Sequence, residues 1–398
     1  MVFKQFKDLQ LSALGFGTMR LPLLPDGSGT IDQEEVDRMV DAAMAAGVNY
    51  YDTAHPYHGG KSEGAIGRSL ARYPRESWYL ADKFPGHQNV HGVKEMKPAE
   101  VFEEQLERCG VDYFDFYLLH NVNENSMRYY CNPEKHCLDY FLEQKAKGRI
   151  RHLGFSCHAG PEALKEFVDQ YGKDLEFCQI QLNYLDWKLQ DAEKKCRILQ
   201  EAGIPVWVME PVRGGKLASF REETESEMHA LRPEESCAAW AFRWLQTVPK
   251  PTMVLSGMSN LEQMEDNLRT FSTDKPLNQE ELSLLEKIAK EMLGSIPCTG
   301  CRYCCAGCPL GLNIPMLMNM ANEMQVYSSM NLLMRYSGLG DGKRAGDCIG
   351  CGQCREACPQ KIDVPAEMAK LAEAVAAQKS WEEICKERAA VAEAQSRK

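Results

Sequence analysis

Two cysteine runs near the end of the chain share one spacing. C-T-G-C-R-Y-C-C-A-G-C-P starts at Cys298, and C-I-G-C-G-Q-C-R-E-A-C-P starts at Cys348. Both read C-x2-C-x2-C-x3-C-P. Three thiolates on so tight a loop grip three irons of a cubane, and the fourth, followed by Pro, reaches the other cluster. The spacing assigns Cys298, Cys301, Cys304 and Cys358 to one [4Fe–4S] cluster. Cys348, Cys351, Cys354 and Cys308 go to the second. Two structural zinc sites are the competing reading, which the full spacing with its terminal C-P disfavours. Cys305, beside Cys304, is read as a bystander.

A second constellation lies far upstream. Asp52 sits in Y-Y-D-T-A-H-P-Y and Tyr57 ends that stretch; Lys83 sits in L-A-D-K-F and His120 in F-Y-L-L-H-N. A free phenol ionises near pH ~10, and a neighbouring ammonium is expected to lower that value. A carboxylate paired with the lysine keeps it charged and in place, and a histidine can hold a substrate oxygen. Together they can protonate a carbonyl oxygen while hydride arrives at carbon, or run the reverse. Alone, each has a plain structural explanation: a strand-end histidine satisfied in the core, or an Asp–Lys pair that only stabilises. Their arrival at successive strand ends carries the chemical reading.

Those strand ends follow from an alternation of short apolar runs and amphipathic helices, from residue 11 to about residue 270. The runs start at Leu11, Val48, Trp78, Tyr113, Ile150, Phe177, Pro205 and Met253. Eight alternations of this length predict a (β/α)8 TIM barrel, whose reacting groups gather at the C-terminal ends of the strands. A doubly wound sheet would favour G-x-G-x-x-G after the first strand, and G-F-G-T-M-R lacks the third glycine. The segment from Ile31 is predicted to be a helix capped by Asp32. The 39 residues between Cys308 and Cys348 contain the helical-looking P-M-L-M-N-M-A-N-E-M. The expected organisation is a barrel over 1–293, a small, mainly α-helical two-cluster domain over 294–365, and a C-terminal helix over 366–398.

Composition bounds the partners. The 398 residues are 44% hydrophobic and 26% charged, with a net charge of −11. That balance suits a folded protein with a real core and excludes nucleic acid and anionic membrane surfaces as natural partners. No apolar run reaches spanning length, and the first residues lack a secretory pattern, so a cytoplasmic location is expected. Seventeen cysteines in a reducing compartment point to metal ligation rather than disulfides. Most of the nine outside the two motifs are read as small buried hydrophobes.

The stretch D-T-A-x2-Y-x2-G-x-S-E-x2-I-G, with A-D-K-F, L-L-H-N, G-F-S and E-P-V-R-G-G-K-L, resembles the aldo-keto reductase family over residues 8–290. With its cysteine-rich tail the chain is similar to that family's iron–sulfur branch, which carries a ferredoxin-type domain. The resemblance implies Tyr57 as general acid/base, tuned by Lys83, with Asp52 supporting the lysine and His120 orienting the carbonyl. It implies NAD(P)H across the barrel mouth, with Ser156 and Gln179 on the carboxamide. The turn containing Gly214, together with Gly257, Ser259, Gln263 and Asn267, is implied for diphosphate and adenosine. Three positions depart from the family pattern. Cys157 replaces an Asn, Met209 replaces the stacking aromatic, and Ser259 stands where a basic residue grips a 2′-phosphate; Glu210 adds negative charge nearby. NAD, NADP and a flavin therefore stay open. The expected function is interconversion of a small carbonyl and its alcohol, with the clusters relaying single electrons to or from a redox protein partner. A flavin-using electron-transfer enzyme and a redox-sensing nucleotide-binding protein with structural clusters are the alternatives. The loop after His120 is expected to line the substrate pocket.

Overall fold

The computed structural model describes residues 1–91, 95–248, 251–292, 296, 298, 302–326, 330–358, 360–381 and 383–387. Cys301, Pro359, the expected domain boundary at 293/294 and the end of the expected C-terminal helix lie outside these described residues.

The chain opens with a hairpin, β1 (Phe3–Phe6) against β2 (Leu9–Ser12), antiparallel. Eight parallel strands follow: β3 (Leu14–Gly17), β4 (Tyr50–Asp52), β5 (Tyr79–Phe84), β6 (Phe114–Val122), β7 (Ile150–Cys157), β8 (Cys178–Gln181), β9 (Val206–Met209) and β10 (Met253–Gly257). They close into a barrel in sequence order, with β10 joining β3. The helices that return the chain between strands are α1 (Gln33–Ala45), α2 (Ser62–Leu70), α3 (Pro98–Cys109), α4 (Cys137–Ala146), α5 (Pro161–Tyr171), α6 (Ala192–Glu201) and α7 (Cys237–Thr247); α8 (Leu261–Phe271) follows β10. Asp32 caps α1 as its sequence predicts, its carboxylate accepting from Glu35 N at 3.1 Å. All eight apolar runs hold a barrel strand, but the first is divided. Its opening residues belong to the hairpin and only Leu14–Gly17 joins the barrel.

The barrel interior is filled by Tyr50, Phe116, Phe177, Trp207 and Met253. Phe6 of the hairpin packs with them, its ring 4.9 Å from that of Trp207. Filling from below leaves the polar side chains at the opposite, C-terminal mouth. A second apolar layer joins the strands to the helices. There α2 lies close on the end of α3: a Cβ at Gly67 would come within 2.4 Å of Cys109 O, so only glycine fits.

After the barrel, α9 (Gln279–Met292) leads to the cysteine region, which contributes α10 (Ile314–Val326), α11 (Met330–Ser337) and α12 (Val364–Ala376). These build a core of their own around Leu317, Met318, Leu332 and Leu371. The helix expected to stand apart after residue 365 starts at Val364 and packs into this core, because Met368 and Leu371 face the cysteines' side of the domain.

Candidate active site and cluster sites

Four side chains meet at one side of the mouth. Lys83, at the end of β5, is fully buried. Its Nζ lies 2.5 Å from Asp52 Oδ1 and donates to Thr53 O at 2.6 Å. The Tyr57 hydroxyl is 3.5 Å from the same nitrogen, which also sits 4.9 Å from the centre of the phenol ring. Burial works against the Lys83 ammonium, yet Asp52 and Tyr57 outweigh it and its pKa is raised. Burial likewise pushes the Asp52 carboxyl up, against the pull of Lys83. For Tyr57 burial is the largest influence and raises the phenol pKa; Lys83 pulls it down and Asp52 pushes it up again. The expected net lowering by lysine is therefore reversed: desolvation of the anion exceeds what the ammonium returns.

His120 completes the group, its ring 5.9 Å from that of Tyr57 and edge-on to it. A register shift between Leu119 and Val122 marks a bulge in β6, and Asn121 takes a left-handed φ of 60°. Such bulges re-aim side chains at sheet rims. Burial, then His87 and Lys83, hold the His120 pKa well below its usual value, so the ring is neutral. Its Nδ1 has no hydrogen-bond partner among the described residues.

Ser156 and Gln179 are direct cross-strand partners on β7 and β8. Ser156 Oγ accepts from Asn121 N at 2.8 Å, while buried Gln179 Oε1 has no partner among the described residues. An unpaired buried acceptor fits a ligand that brings an amide N–H, as a carboxamide does. Gly214 and Gly257 flank the Arg20 side chain. A Cβ at Gly214 would lie 3.1 Å from Arg20 Nη2, and one at Gly257 3.4 Å from Arg20 Cβ. Gln263 Oε1 accepts from Ser259 N at 2.8 Å, and both residues are exposed at the start of α8. Asn267 is buried and donates to Ser256 Oγ at 3.0 Å, which ties α8 to β10. Glu210 has a φ of 56°, and burial pushes its carboxyl pKa up with Arg20 opposing.

Two cavities lie among the cysteines. One is lined by Cys308, Cys348, Cys351 and Cys354. The other is lined by Cys298, Cys304 and Cys358, with Arg302 and Met318. The fourth cysteine of each run thus lines the cavity of the other run. Three thiols of one run with the fourth of the other, as at the Cys308 cavity, are the donor set of a cubane. Ile314 and Val364 line both cavities.

Residues 13–290 match the model of the Aldo/keto reductase family, and residues 297–362 match that of the 4Fe-4S dicluster domain. The chain belongs to the aldo/keto reductase family. It is an oxidoreductase of that family joined to a two-cluster domain. Among curated proteins it is 23% identical over 325 residues to the NADH-specific methylglyoxal reductase of Escherichia coli, covering 72% of this chain and 97% of the relative. An aldo-keto reductase of Mycolicibacterium smegmatis is 30% identical over 212 residues, covering 52% of this chain and 70% of the relative. A solved aldo-keto reductase from Bacillus halodurans, in its holo form, superposes with a TM-score of 0.56 at 26% identity, covering 72% of this chain and 96% of its own.

Four groups that adjoin the expected site residues were not singled out from the sequence: Arg20, Glu323, Asn331 and Met334. Arg20 follows the first barrel strand, and the rule that strand ends carry function would have reached it. Glu323, Met334 and Asn331 come from the two-cluster domain, over a hundred residues from the barrel groups they touch. Among the described residues no helix is long and apolar enough to cross a membrane.

Proposed function

We propose that the protein reduces a small carbonyl compound with a nicotinamide cofactor, and that its two-cluster domain connects this site to a single-electron redox partner. One observation carries the first half: Lys83 Nζ lies between the Asp52 carboxylate and the Tyr57 hydroxyl, beside a neutral His120. When bound, nicotinamide supplies a hydride and the iron–sulfur clusters supply single-electron transfer. Tyr57 gives its hydroxyl proton to the substrate oxygen. Lys83, held by Asp52 and Thr53 O, stabilises the phenolate that remains. Neutral His120 holds the substrate oxygen within reach of Tyr57. Burial raises the Tyr57 pKa, which keeps the proton on the phenol until the substrate oxygen takes it.

Ser156 and Gln179 would hold the carboxamide, which would fill the unpaired Gln179 acceptor. Gly214, Gly257, Ser259 and Gln263 would cover the diphosphate and adenosine, with Arg20 between the two glycines offsetting phosphate charge. Asn267 supports this wall from behind. The E. coli relative's name makes methylglyoxal the first substrate to try. The cysteine sets around the two cavities, separated by the shared Ile314 and Val364, support a relay rather than two isolated staples. Carbonyl-dependent oxidation of NADH and NADPH, measured for wild type and Tyr57→Phe, tests the reading. The variant should lose about 10²–10⁴ of its kcat while keeping cofactor affinity. A variant with unchanged turnover would overturn the assignment.

A further inference from the structure

The turn expected to cover the cofactor diphosphate is held from outside the barrel. Arg213, within that turn, is buried with a φ of 49°, and its neighbours Glu210 and Gly214 also have positive φ. Three of five residues in left-handed conformations do not hold themselves in place. Arg213 Nε donates to both oxygens of Asp186, at 3.1 and 3.2 Å. Its Nη2 lies 3.4 Å from Glu323 Oε1. Glu323 is on α10, between the two cysteine runs, and is itself buried. The same carboxylate takes Gln190 Nε2 at 3.2 Å and pairs with Arg335 of α11. Its chain neighbour Asn322 exchanges two hydrogen bonds with Ile296, at 3.3 and 2.9 Å. Ile296 O in turn accepts from the amide of Cys298 at 2.9 Å. Hydrogen bonds from Cys298 to Asn322, the chain link from Asn322 to Glu323 and the Glu323–Arg213 ion pair therefore connect one cysteine run to this turn.

A second contact reaches the other end of the same site. Met334 Sδ, on α11, lies 3.2 Å from Asn121 Nδ2 and 3.5 Å from Asn123 Nδ2. Asn121 is the residue whose amide holds Ser156 Oγ. Asn331 of α11 donates to Gln181 Oε1 at 3.2 Å, two residues past Gln179 on β8. The two contacts fall on the two ends of the expected cofactor path, diphosphate and carboxamide.

We propose that Glu323 and Met334 make the two-cluster domain part of the nicotinamide site, so that each strengthens the other: Glu323 fixes the diphosphate turn through Arg213, and Met334 fixes Ser156 through Asn121. Both are positioning residues, since neither reaches the expected cofactor. The inference rests on the nicotinamide reading above. Linkage makes the effect reciprocal: a domain that favours cofactor binding is favoured by bound cofactor.

The test measures NADPH and NADH affinity by fluorescence titration of the anaerobically purified full chain, alongside iron and sulfide content and thermal unfolding. Glu323→Gln keeps the shape and removes the charge facing Arg213. It should weaken cofactor binding about tenfold with iron content unchanged. Glu323→Asp should restore part of the loss. Met334→Leu keeps the volume and removes the sulfur acceptor, and should weaken binding about threefold. Bound cofactor should also raise the unfolding temperature of the cluster absorbance in wild type more than in Glu323→Gln. Should Glu323→Gln fail to fold, the Met334→Leu titration and the wild-type melting shift decide. Wild-type binding that both variants leave unchanged or tighten overturns this inference alone. A wild type that binds neither nucleotide overturns the nicotinamide reading and this inference with it.

Discussion

Replacing Lys83 with methionine keeps much of the side chain's length and removes the charge that faces Tyr57. The size of the effect follows from the 3.5 Å between Lys83 Nζ and the phenol oxygen. Two full charges at that separation attract by about 5 kcal/mol at an effective dielectric of ~20. If half a charge has developed on the phenol oxygen in the transition state, the loss is ~2.5 kcal/mol, or roughly 70-fold in rate. Removing the ammonium also strands the buried Asp52 carboxylate, whose Oδ2 already lacks a partner among the described residues. A fixed anion beside a developing anion adds to the barrier, so kcat should fall at least ~10²-fold. Asp52→Asn combined with Lys83→Met removes that anion, and should recover part of the stability and some of the rate. The assay is steady-state carbonyl reduction from pH 6 to pH 11, with unfolding temperatures recorded in parallel. Reduction needs the protonated phenol, so the rate should stay level at neutral pH and fall only as pH rises through the raised Tyr57 pKa. In Lys83→Met that fall should move to still higher pH, because the one group lowering the pKa is gone. A variant within threefold of wild type, or a fall that moves to lower pH, would refute the role given to Lys83.

The crossed cysteine sets predict that Cys308→Ser and Cys354→Ser damage the same cluster, although they lie in different runs. Each should lose about half the iron and leave the same electron paramagnetic resonance spectrum, distinct from that of Cys358→Ser; a match between Cys308→Ser and Cys304→Ser would defeat the crossing. Glu176 joins the barrel's underside to the hairpin. Burial disfavours its carboxylate, but His152 at 2.9 Å, with Lys145 and Lys7, outweighs burial and depresses its pKa. A depressed carboxylate stabilises the fold above the unfolded-state value and loses that contribution as pH falls. Glu176→Gln should therefore cost about 2 kcal/mol at pH 7, and the difference from wild type should shrink as pH falls through 4.5 and below. Equal differences at pH 7 and pH 3 in denaturant melts would contradict this account.

The barrel was readable because a parallel strand covered on both sides is a continuous apolar run, and eight such runs at regular spacing admit few folds. The quartet was readable for a related reason: the strand-end rule converts position in the run into position in space. The division of the first run was not readable. Leu9–Ser12 and Leu14–Gly17 are equally apolar, and what separates them is a pairing with Asn49. Ser12 N donates to Asn49 Oδ1 at 2.8 Å and Asn49 N returns to Ser12 Oγ at 3.1 Å. The sign of the Tyr57 shift was misjudged because sequence names the neighbouring charge but not the depth of burial. The hydrogen bond from Asn267 Nδ2 to Ser256 Oγ, 11 positions away, was not readable in the segment after β10. The contacts of Glu323 and Met334 join residues more than a hundred positions apart, and no local pattern announces them.

The cluster sites have an order relative to the barrel, and α10 supplies it. Ile314, near its start, lines both cavities. Met318, one turn on, lines only the cavity of Cys298, Cys304 and Cys358. Asn322 and Glu323, one turn further, hold Ile296 and the barrel's Arg213. Along this helix the Cys298 cavity therefore lies between the Cys308 cavity and the barrel mouth. Both cavities reach the surface: Cys351 and Ile349 are exposed at the far one, Arg302 and Gln360 at the near one. A relay needs one site toward a partner and another toward the substrate, and along α10 the Cys308 cavity is the farther from the barrel. Two staples for a small domain would need no such order, since either site could face either way and still fix its loop. The domain also has its own packed core of leucines and methionines, so its cysteines are not its only means of holding shape. Together with the contacts from α10 and α11 onto the mouth, that order suits the relay proposed above.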